Sequence, residues 1–239
     1  MVVEQKQNFD KESEVYTEML ENGIKNTGFS FDYIQEYKVL DLKEEVKKYT
    51  NPENELKILD FGCGIGLVTQ YLRKHFPNST LYACDYSKKS IEKCMERNKN
   101  IQNLHIMPTN GSDIPFAEKF DIIFIANVVR HIPRPNQKII FDNLYNSLAE
   151  NGRIMMYEFN PLNPVSLYFY YKEDRQYDPE NVRIMSAGYS RKLFKSANFK
   201  DIKTKYRFFV PSSLKKLLWI EKYLKKCPIG ANYYLIAKK

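Results

Sequence analysis

The sequence predicts an α/β protein built on a doubly wound, mostly parallel sheet with helices on both faces. From residue 56 onward, short apolar runs alternate with segments whose apolar residues recur at helical spacing. The runs lie about ten or more residues apart, the separation that a right-handed crossover between parallel strands requires. The first run also ends in "GCGIG", three glycines in five residues, which is a turn signal at a point where something must approach the backbone closely.

Residues 9–49 show helical patterning with many charges, interrupted at 22–28 ("NGIKNTG") and closed by the loop signal "TNPEN" at 50–54. This predicts a helical N-terminal extension or lid over 1–55, ahead of a domain over 56–239. A strand is expected at 56–61, where Ile58 and Leu59 read as its buried end. Leu67, Val68, Tyr71 and Leu72 fall at helical spacing and give a helix over 66–75. The pattern continues with a strand at 80–84, a helix at 87–98 and strands at 104–107 and 120–126. A helix at 136–149, the turn "ENG" and a strand at 153–159 follow.

The rhythm then breaks. Residues 160–188 carry three prolines and four tyrosines without a clear period, which predicts an inserted aromatic-rich cap over about 160–190. "SRKLFKSANF" reads as a helix capped by Ser190. Two half-exposed strands, about 200–210 and 232–238, flank a basic amphipathic segment and can pair antiparallel.

Composition bounds the function. The net charge is +8, but residues 191–239 hold 14 Lys+Arg against 2 Asp+Glu, so the basic character belongs to the tail. Within it, "SSLKKLLWIEKYLKK" (212–226) predicts a helix with its leucines on one side and its lysines elsewhere. It can pack on the core with a solvated lysine face, or adsorb to an anionic lipid surface through Trp219. The four cysteines form no CxxC pair and no Cys/His cluster, so reduced thiols and no metal site are expected. The polar N-terminus and the lack of any apolar run near 18 residues predict a cytoplasmic, soluble protein.

The glycine turn carries the chemistry. A dinucleotide fingerprint needs glycine where Leu67 stands, which disfavours a nicotinamide oxidoreductase, and the P-loop pattern is absent. What stands is Asp60-Phe61-Gly62-Cys63-Gly64-Ile65-Gly66, an acid two residues before G-x-G-x-G. This resembles the first motif of the class I S-adenosylmethionine-dependent methyltransferases. The resemblance implies a Rossmann-like seven-stranded sheet with an antiparallel terminal strand, and S-adenosyl-L-methionine as cofactor. It implies that Asp60 helps hold the α-ammonium while Gly62, Cys63, Gly64 and Gly66 let the main chain approach the aminoacyl and ribose parts. Asp85, 25 residues after Asp60 at the end of the second strand, is then suited to the ribose hydroxyls, with Tyr86 beside the adenine. Ser87 is left to cap the next helix. Ser112, Asp113 and Ile114 in "TNGSDIPF" match the family's adenine-embracing pair and its following apolar residue. Ala126 and Asn127 match the fourth-strand end near the sulfonium.

The motifs cover about 56–160. "EFNPLNP" at 158–164 resembles the ubiquinone-biosynthesis-like, or type 11, group, in which Glu-His-Asn-Pro is expected. Phe159 stands where that histidine would be, so no role of it transfers. Methyl transfer is an in-line displacement that needs positioning and desolvation more than covalent catalysis. If the acceptor is a hydroxyl, a base helps. His131 and Glu158 are the candidates, each with an ordinary structural alternative. The aromatic run Tyr168-Phe169-Tyr170-Tyr171 reads either as core or as the wall of an acceptor pocket.

The expected activity is O-methylation of a small-molecule or lipid-linked acceptor, with peripheral membrane contact through 212–226. Alternatives are a catalytically silent S-adenosylmethionine-binding partner protein and an RNA methyltransferase. Nucleic acid is disfavoured because Ala126-Asn127-Val128-Val129 is not the Asn/Asp-Pro-Pro-aromatic motif of base-amino methylation, and no Pro-Cys nucleophile is present. The sequence does not specify an oligomeric state.

Overall fold

The computed structural model describes residues 30–171 and 182–239. Most of the expected N-terminal helical segment (1–29) and the middle of the expected cap (172–181) lie outside the described residues. The elements run α1 (Phe31–Val46), β1 (Lys57–Phe61), α2 (Leu67–His75), β2 (Thr80–Asp85), α3 (Lys88–Arg97), β3 (Leu104–Pro108) and β4 (Phe120–Ala126). They continue with α4 (Arg134–Ser147), β5 (Leu148–Phe159), α5 (Pro164–Phe169), α6 (Ala187–Ser196), β6 (Lys200–Arg207), α7 (Glu221–Leu224) and β7 (Asn232–Lys238).

The strands form a seven-stranded sheet in the order β3-β2-β1-β4-β5-β7-β6. β1 to β5 pair in parallel, and β7 runs antiparallel between β5 and β6. The expected antiparallel end is therefore present. Each of β1, β4 and β7 is almost wholly buried, as strands covered on both faces must be. Alternate residues serve opposite cores. Ile58, Phe124, Met155, Tyr157 and Ile236 pack beneath α1 and α2. Leu59, Ile123, Ile125, Met156 and Leu235 pack beneath α4 and α6. Order reverses between β1 and β4, so the carboxyl ends of these strands frame the crevice in which such sheets bind ligands.

Three local expectations differ from what forms. The "ENG" turn is absorbed into β5. Phe120 pairs with Leu148 but Ile122 pairs with Arg153, so the extra residues bulge within the strand. The cap of α6 is Ser186, whose Oγ accepts from the Tyr189 amide at 3.2 Å; Ser190 lies inside the helix, its hydroxyl 2.8 Å from that of Tyr233. The basic tail is not one α-helix. It is a 3-10 segment (Ser212–Ile220) kinked at Leu214 and followed by α7. Leu214, Leu217, Trp219 and Tyr223 are exposed and do not pack on the core.

The described part of the N-terminal segment is built into this core. Val39, Leu42 and Val46 of α1 are buried on Ile58, Leu72 and Phe124. Asp41 accepts from Arg207 Nε at 2.7 Å and from the Tyr157 hydroxyl. Glu45 pairs with Lys205 and accepts from the Tyr234 hydroxyl at 2.9 Å, and Tyr37 donates to Glu221 at 2.6 Å. These bonds join α1 to β5, β6, β7 and α7, elements more than a hundred residues away in the chain.

Candidate active site

Asp60 ends β1 as a buried carboxylate, 2% exposed. It accepts from the Thr69 hydroxyl at 2.7 Å, on the buried face of α2. Among the described residues no cation comes within ion-pair distance of it. Burial pushes its pKa up to about 7; the Thr69 bond pulls the other way, the Asp85 charge adds to the rise, and Lys38 opposes it. A carboxylate so placed gains from a ligand cation.

The glycine corner follows. Gly62 and Cys63 donate their amides to the Cys84 carbonyl at 2.8 and 3.0 Å, which closes the turn onto β2. Gly64 and Gly66 both have positive φ, +52° and +79°. At Gly66 an added Cβ would meet Asn98 Nδ2 at 2.2 Å and Cys94 Sγ at 2.6 Å, so this glycine lets α3 close on the turn. At Gly64 an added Cβ would meet none of the described residues within 4 Å. Among the described residues, the bare main chain of Gly64 therefore faces open space. Cys63 is buried with its Sγ 3.9 Å from that of Cys94.

Asp85 anchors the other side. One of its oxygens accepts from the Gly64 amide and the other from the Ser87 amide, both at 2.9 Å. Ser87 caps α3 by accepting from the Ser90 amide at 3.1 Å. Asp85 is half-buried, so it stays within reach of a ligand beside Gly64. Tyr86 lays its ring on the 109–113 loop, where a Cβ at Gly111 would stand 3.1 Å from its edge. That loop is self-bonded. Asp113 accepts from the Thr109 hydroxyl at 2.8 Å, and the Ser112 and Asp113 amides donate to Asn110 Oδ1. Ser112 and Asp113 are exposed at its tip, and Ile114 packs on the core beneath.

β4 delivers Ala126, which packs against the α1/α2 core, and Asn127. Asn127 adopts φ +61°, a conformation Asn tolerates, and its amide donates to the Tyr157 carbonyl at 2.9 Å. Its Oδ1 is buried with no hydrogen-bond partner among the described residues. Such an orphan acceptor beside a crevice suits a ligand donor.

The two candidate bases differ in setting. Glu158, 1% exposed, accepts from the Val129 and Arg130 amides at 3.0 and 3.4 Å and pairs with Arg130 at 3.3 Å. Its geometry is that of the structural alternative: it holds the 3-10 turn Val129–His131 at the end of β4. His131 sits half-buried on that turn. Burial, and then the Arg130 charge, hold its pKa well below the ordinary histidine range, so the imidazole is neutral at pH 7. The Arg130 guanidinium also lies 4.6 Å from the Phe159 ring centre, so the residue that departs from the expected histidine serves as its stacking platform.

The aromatic run of the cap does not share one face. Tyr170 is buried and donates to the Val182 carbonyl at 3.2 Å, whereas Tyr168 and Tyr171 are exposed. Among the described residues no three His, Cys, Asp or Glu side chains group as metal ligands. Sequence reasoning missed Thr69, Asn98 and Arg130. Thr69 left a trace as a polar residue within the apolar stripe of α2.

Comparison with known proteins bears on the same region. Residues 58–152 match the family described as "Methyltransferase domain". A malonyl-[acyl-carrier protein] O-methyltransferase of Ilyobacter polytropus is 28% identical over 64% of this chain and 53% of its own length. A ubiquinone biosynthesis O-methyltransferase of Rickettsia typhi is 27% identical over 52% of this chain and 50% of its own. The chain spans about half the length of these curated relatives. Among solved structures, an S-adenosylmethionine-dependent methyltransferase of Thermotoga maritima superposes with a TM-score of 0.67, at 15% identity, over 98% of this chain and 99% of its own. A phosphoethanolamine N-methyltransferase of Haemonchus contortus, crystallised with S-adenosylmethionine, gives 0.59 at 16% identity over 81% of this chain and 51% of its own.

Proposed function

We propose that this chain, whose residues 58–152 match a methyltransferase domain, is a class I S-adenosylmethionine-dependent methyltransferase that O-methylates a small-molecule or lipid-linked acceptor. The observation that carries the site assignment is the buried Asp60 carboxylate, without an ion-pair partner, next to the open main chain of Gly64. The donor set fits the cofactor. Asp60 would take the α-ammonium, Gly64 would let the aminoacyl and ribose parts lie on its backbone, and Asp85 would accept from the ribose hydroxyls. Tyr86, Ser112, Asp113 and Ile114 would surround the adenine. Ala126 and the unbonded Asn127 Oδ1 would border the sulfonium side.

When bound, S-adenosylmethionine supplies a methyl group on a sulfonium centre, which departs as a neutral thioether. The residues of the chain orient the two reactants, exclude water and manage one proton. In this reading His131 accepts the proton of an acceptor hydroxyl at Nδ1 or Nε2, since its imidazole is already neutral. Glu158 acts as a positioning residue: its bonds to the Val129 and Arg130 amides fix the turn that carries His131.

The oxygen acceptor is drawn from the O-methyltransferase relatives. Its lipid-linked form is favoured by the exposed apolar and basic surface of Leu214, Leu217, Trp219, Tyr223, Lys222 and Lys226.

Calorimetry with S-adenosylhomocysteine, together with methyl incorporation on a panel of hydroxyl and carboxyl acceptors, tests the proposal. Micromolar binding, weakened roughly ten- to a hundredfold by Asp85→Ala, is expected. His131→Ala is expected to cut turnover roughly a hundredfold or more while leaving that affinity unchanged. Absence of binding, or an Asp85→Ala variant that binds as well as wild type, defeats it. Binding without turnover on any acceptor makes the protein a silent cofactor-binding partner instead.

A further inference from the structure

Thr69 places a hydroxyl where packing asks for none. It is 0% exposed and shares the buried side of α2 with Leu67, Val68 and Leu72. Valine has nearly the same shape and would fill that space with no polar atom to satisfy, whereas a buried hydroxyl costs free energy unless it is bonded. The bond it makes reaches across to β1: the Thr69 hydroxyl donates to Asp60 Oδ2 at 2.7 Å.

This divides the carboxylate. Oδ2 is held, and among the described residues no donor reaches Oδ1. Because the donor stands on α2 and the acceptor on β1, the bond fixes which oxygen turns to the helix and which is left for a ligand. We infer that Thr69 is a positioning residue of the cofactor site, holding Asp60 Oδ2 so that Oδ1 is presented to the α-ammonium of the ligand. It acts through Asp60, and so rests on the cofactor assignment made above.

The bond also acts on charge, which gives the inference a readout that mere packing lacks. A hydroxyl donating to a carboxylate favours the ionised form. Burial raises the Asp60 pKa to about 7, and the Thr69 bond is the strongest opposing cause. Asp85 at the end of β2 adds to the rise, and Lys38 of α1 opposes it. The Cys63 and Cys84 thiols stay neutral in this range, since contact with Cys94 and burial push the first well up and burial the second. Lys38, lowered to about 7 by burial and then by Arg130, titrates in the same range, so variants are compared with wild type at matched pH. Loss of the Thr69 hydroxyl keeps Asp60 protonated to higher pH, and the affinity that Asp60 supplies then sets in at higher pH.

The test is calorimetry on the full chain from pH 5.5 to 8.5 with two ligands. One is S-adenosylhomocysteine; the other is 5′-methylthioadenosine, which keeps the nucleoside and thioether but has no amino acid group. Thr69→Val is expected to move the acid limb of S-adenosylhomocysteine affinity up by about one pH unit, a roughly fivefold loss at pH 7 that shrinks to about twofold at pH 8.5. Its affinity for 5′-methylthioadenosine is expected to match wild type throughout. Thr69→Ser, which keeps the hydroxyl, is expected to return the limb toward its wild-type position. Thr69→Ala has neither hydroxyl nor branch and is expected to shift the limb as Thr69→Val does. A limb is read as a position on the pH axis, so a loss of folded protein does not imitate it.

A Thr69→Val limb at the wild-type position, or equal weakening of both ligands, overturns the inference and leaves Thr69 a packing residue. A wild-type protein that binds neither compound, or binds S-adenosylhomocysteine with no acid limb, removes the Asp60 assignment itself, which is a distinct failure.

Discussion

Asp60 and Lys38 have pKa values displaced in opposite directions for the same cause. Burial raises the acid to about 7, with the Asp85 charge adding to the rise while Thr69 and Lys38 oppose it. Burial and Arg130 lower the base to about 7, against the pull of Glu158 and Asp60. Binding the ammonium of an α-amino acid group requires Asp60 ionised. Below about pH 7 Asp60 must release a proton to bind, so affinity falls on the acid side. We expect S-adenosylhomocysteine affinity to fall by up to about tenfold per pH unit below about pH 7. Calorimetry from pH 5.5 to 8.5 measures this. Asp60→Asn should flatten the acid limb, and a wild-type profile without that limb contradicts the assignment. Asp60 and Asp85 were legible because each follows an apolar strand run directly. Thr69 was not, because nothing in a helical segment announces which strand end its inner face will meet.

At the scale of elements, the glycine corner divides its work between fold and ligand. Gly66 serves packing: Asn98 of α3 donates to its carbonyl at 3.1 Å, and a side chain there would collide with Asn98 and Cys94. Gly64 meets no atom of the described residues in that direction. Gly66→Ala should therefore cost roughly 2–5 kcal/mol in urea denaturation, from overpacking plus left-handed strain. Gly64→Ala should cost about 1–2 kcal/mol, the backbone strain alone, yet weaken S-adenosylhomocysteine binding tenfold or more. Equal losses of stability in the two variants would refute this division. The motif spacing made the corner itself readable. The different duties of its glycines were not, since they depend on whether α3 or a ligand approaches each one. The same holds for α6. Ser186 and Ser190 are both plausible caps, and Ser190 is taken inward by the hydroxyl of Tyr233 on β7.

Across the whole molecule, charge and exposed apolar surface concentrate at the C-terminal end. The 3-10 segment Ser212–Ile220 and α7 are held by the buried Glu221 carboxylate, which accepts from the Phe209 amide at 2.9 Å and from Tyr37. Their outer side presents Trp219, 61% exposed, and Tyr223, 69% exposed, beside Lys222 and Lys226. Such a surface suits an anionic interface, where each lysine contributes about 1 kcal/mol. Trp219 is the single tryptophan, so its emission reports contact directly. We expect vesicles containing phosphatidylserine, but not neutral ones, to sediment the protein at low salt with a blue shift. Lys222→Glu with Lys226→Glu should weaken retention roughly tenfold or more. Failure to sediment with anionic vesicles at low salt would remove membrane contact from the proposal.

The sequence by itself determined the order of strands and helices along the chain, the acid-then-glycine turn and the carboxylate at the end of β2. All of these are local: apolar period, turn chemistry and motif spacing act within a few residues. Tertiary structure alone decided that β7 enters between β5 and β6, that Leu214 and Leu217 of the basic tail face outward, and that α1 is locked into the core. Those outcomes depend on which buried charges find partners across the fold, as Asp41 finds Arg207 and Glu45 finds Lys205, and no window of neighbouring residues contains that pairing.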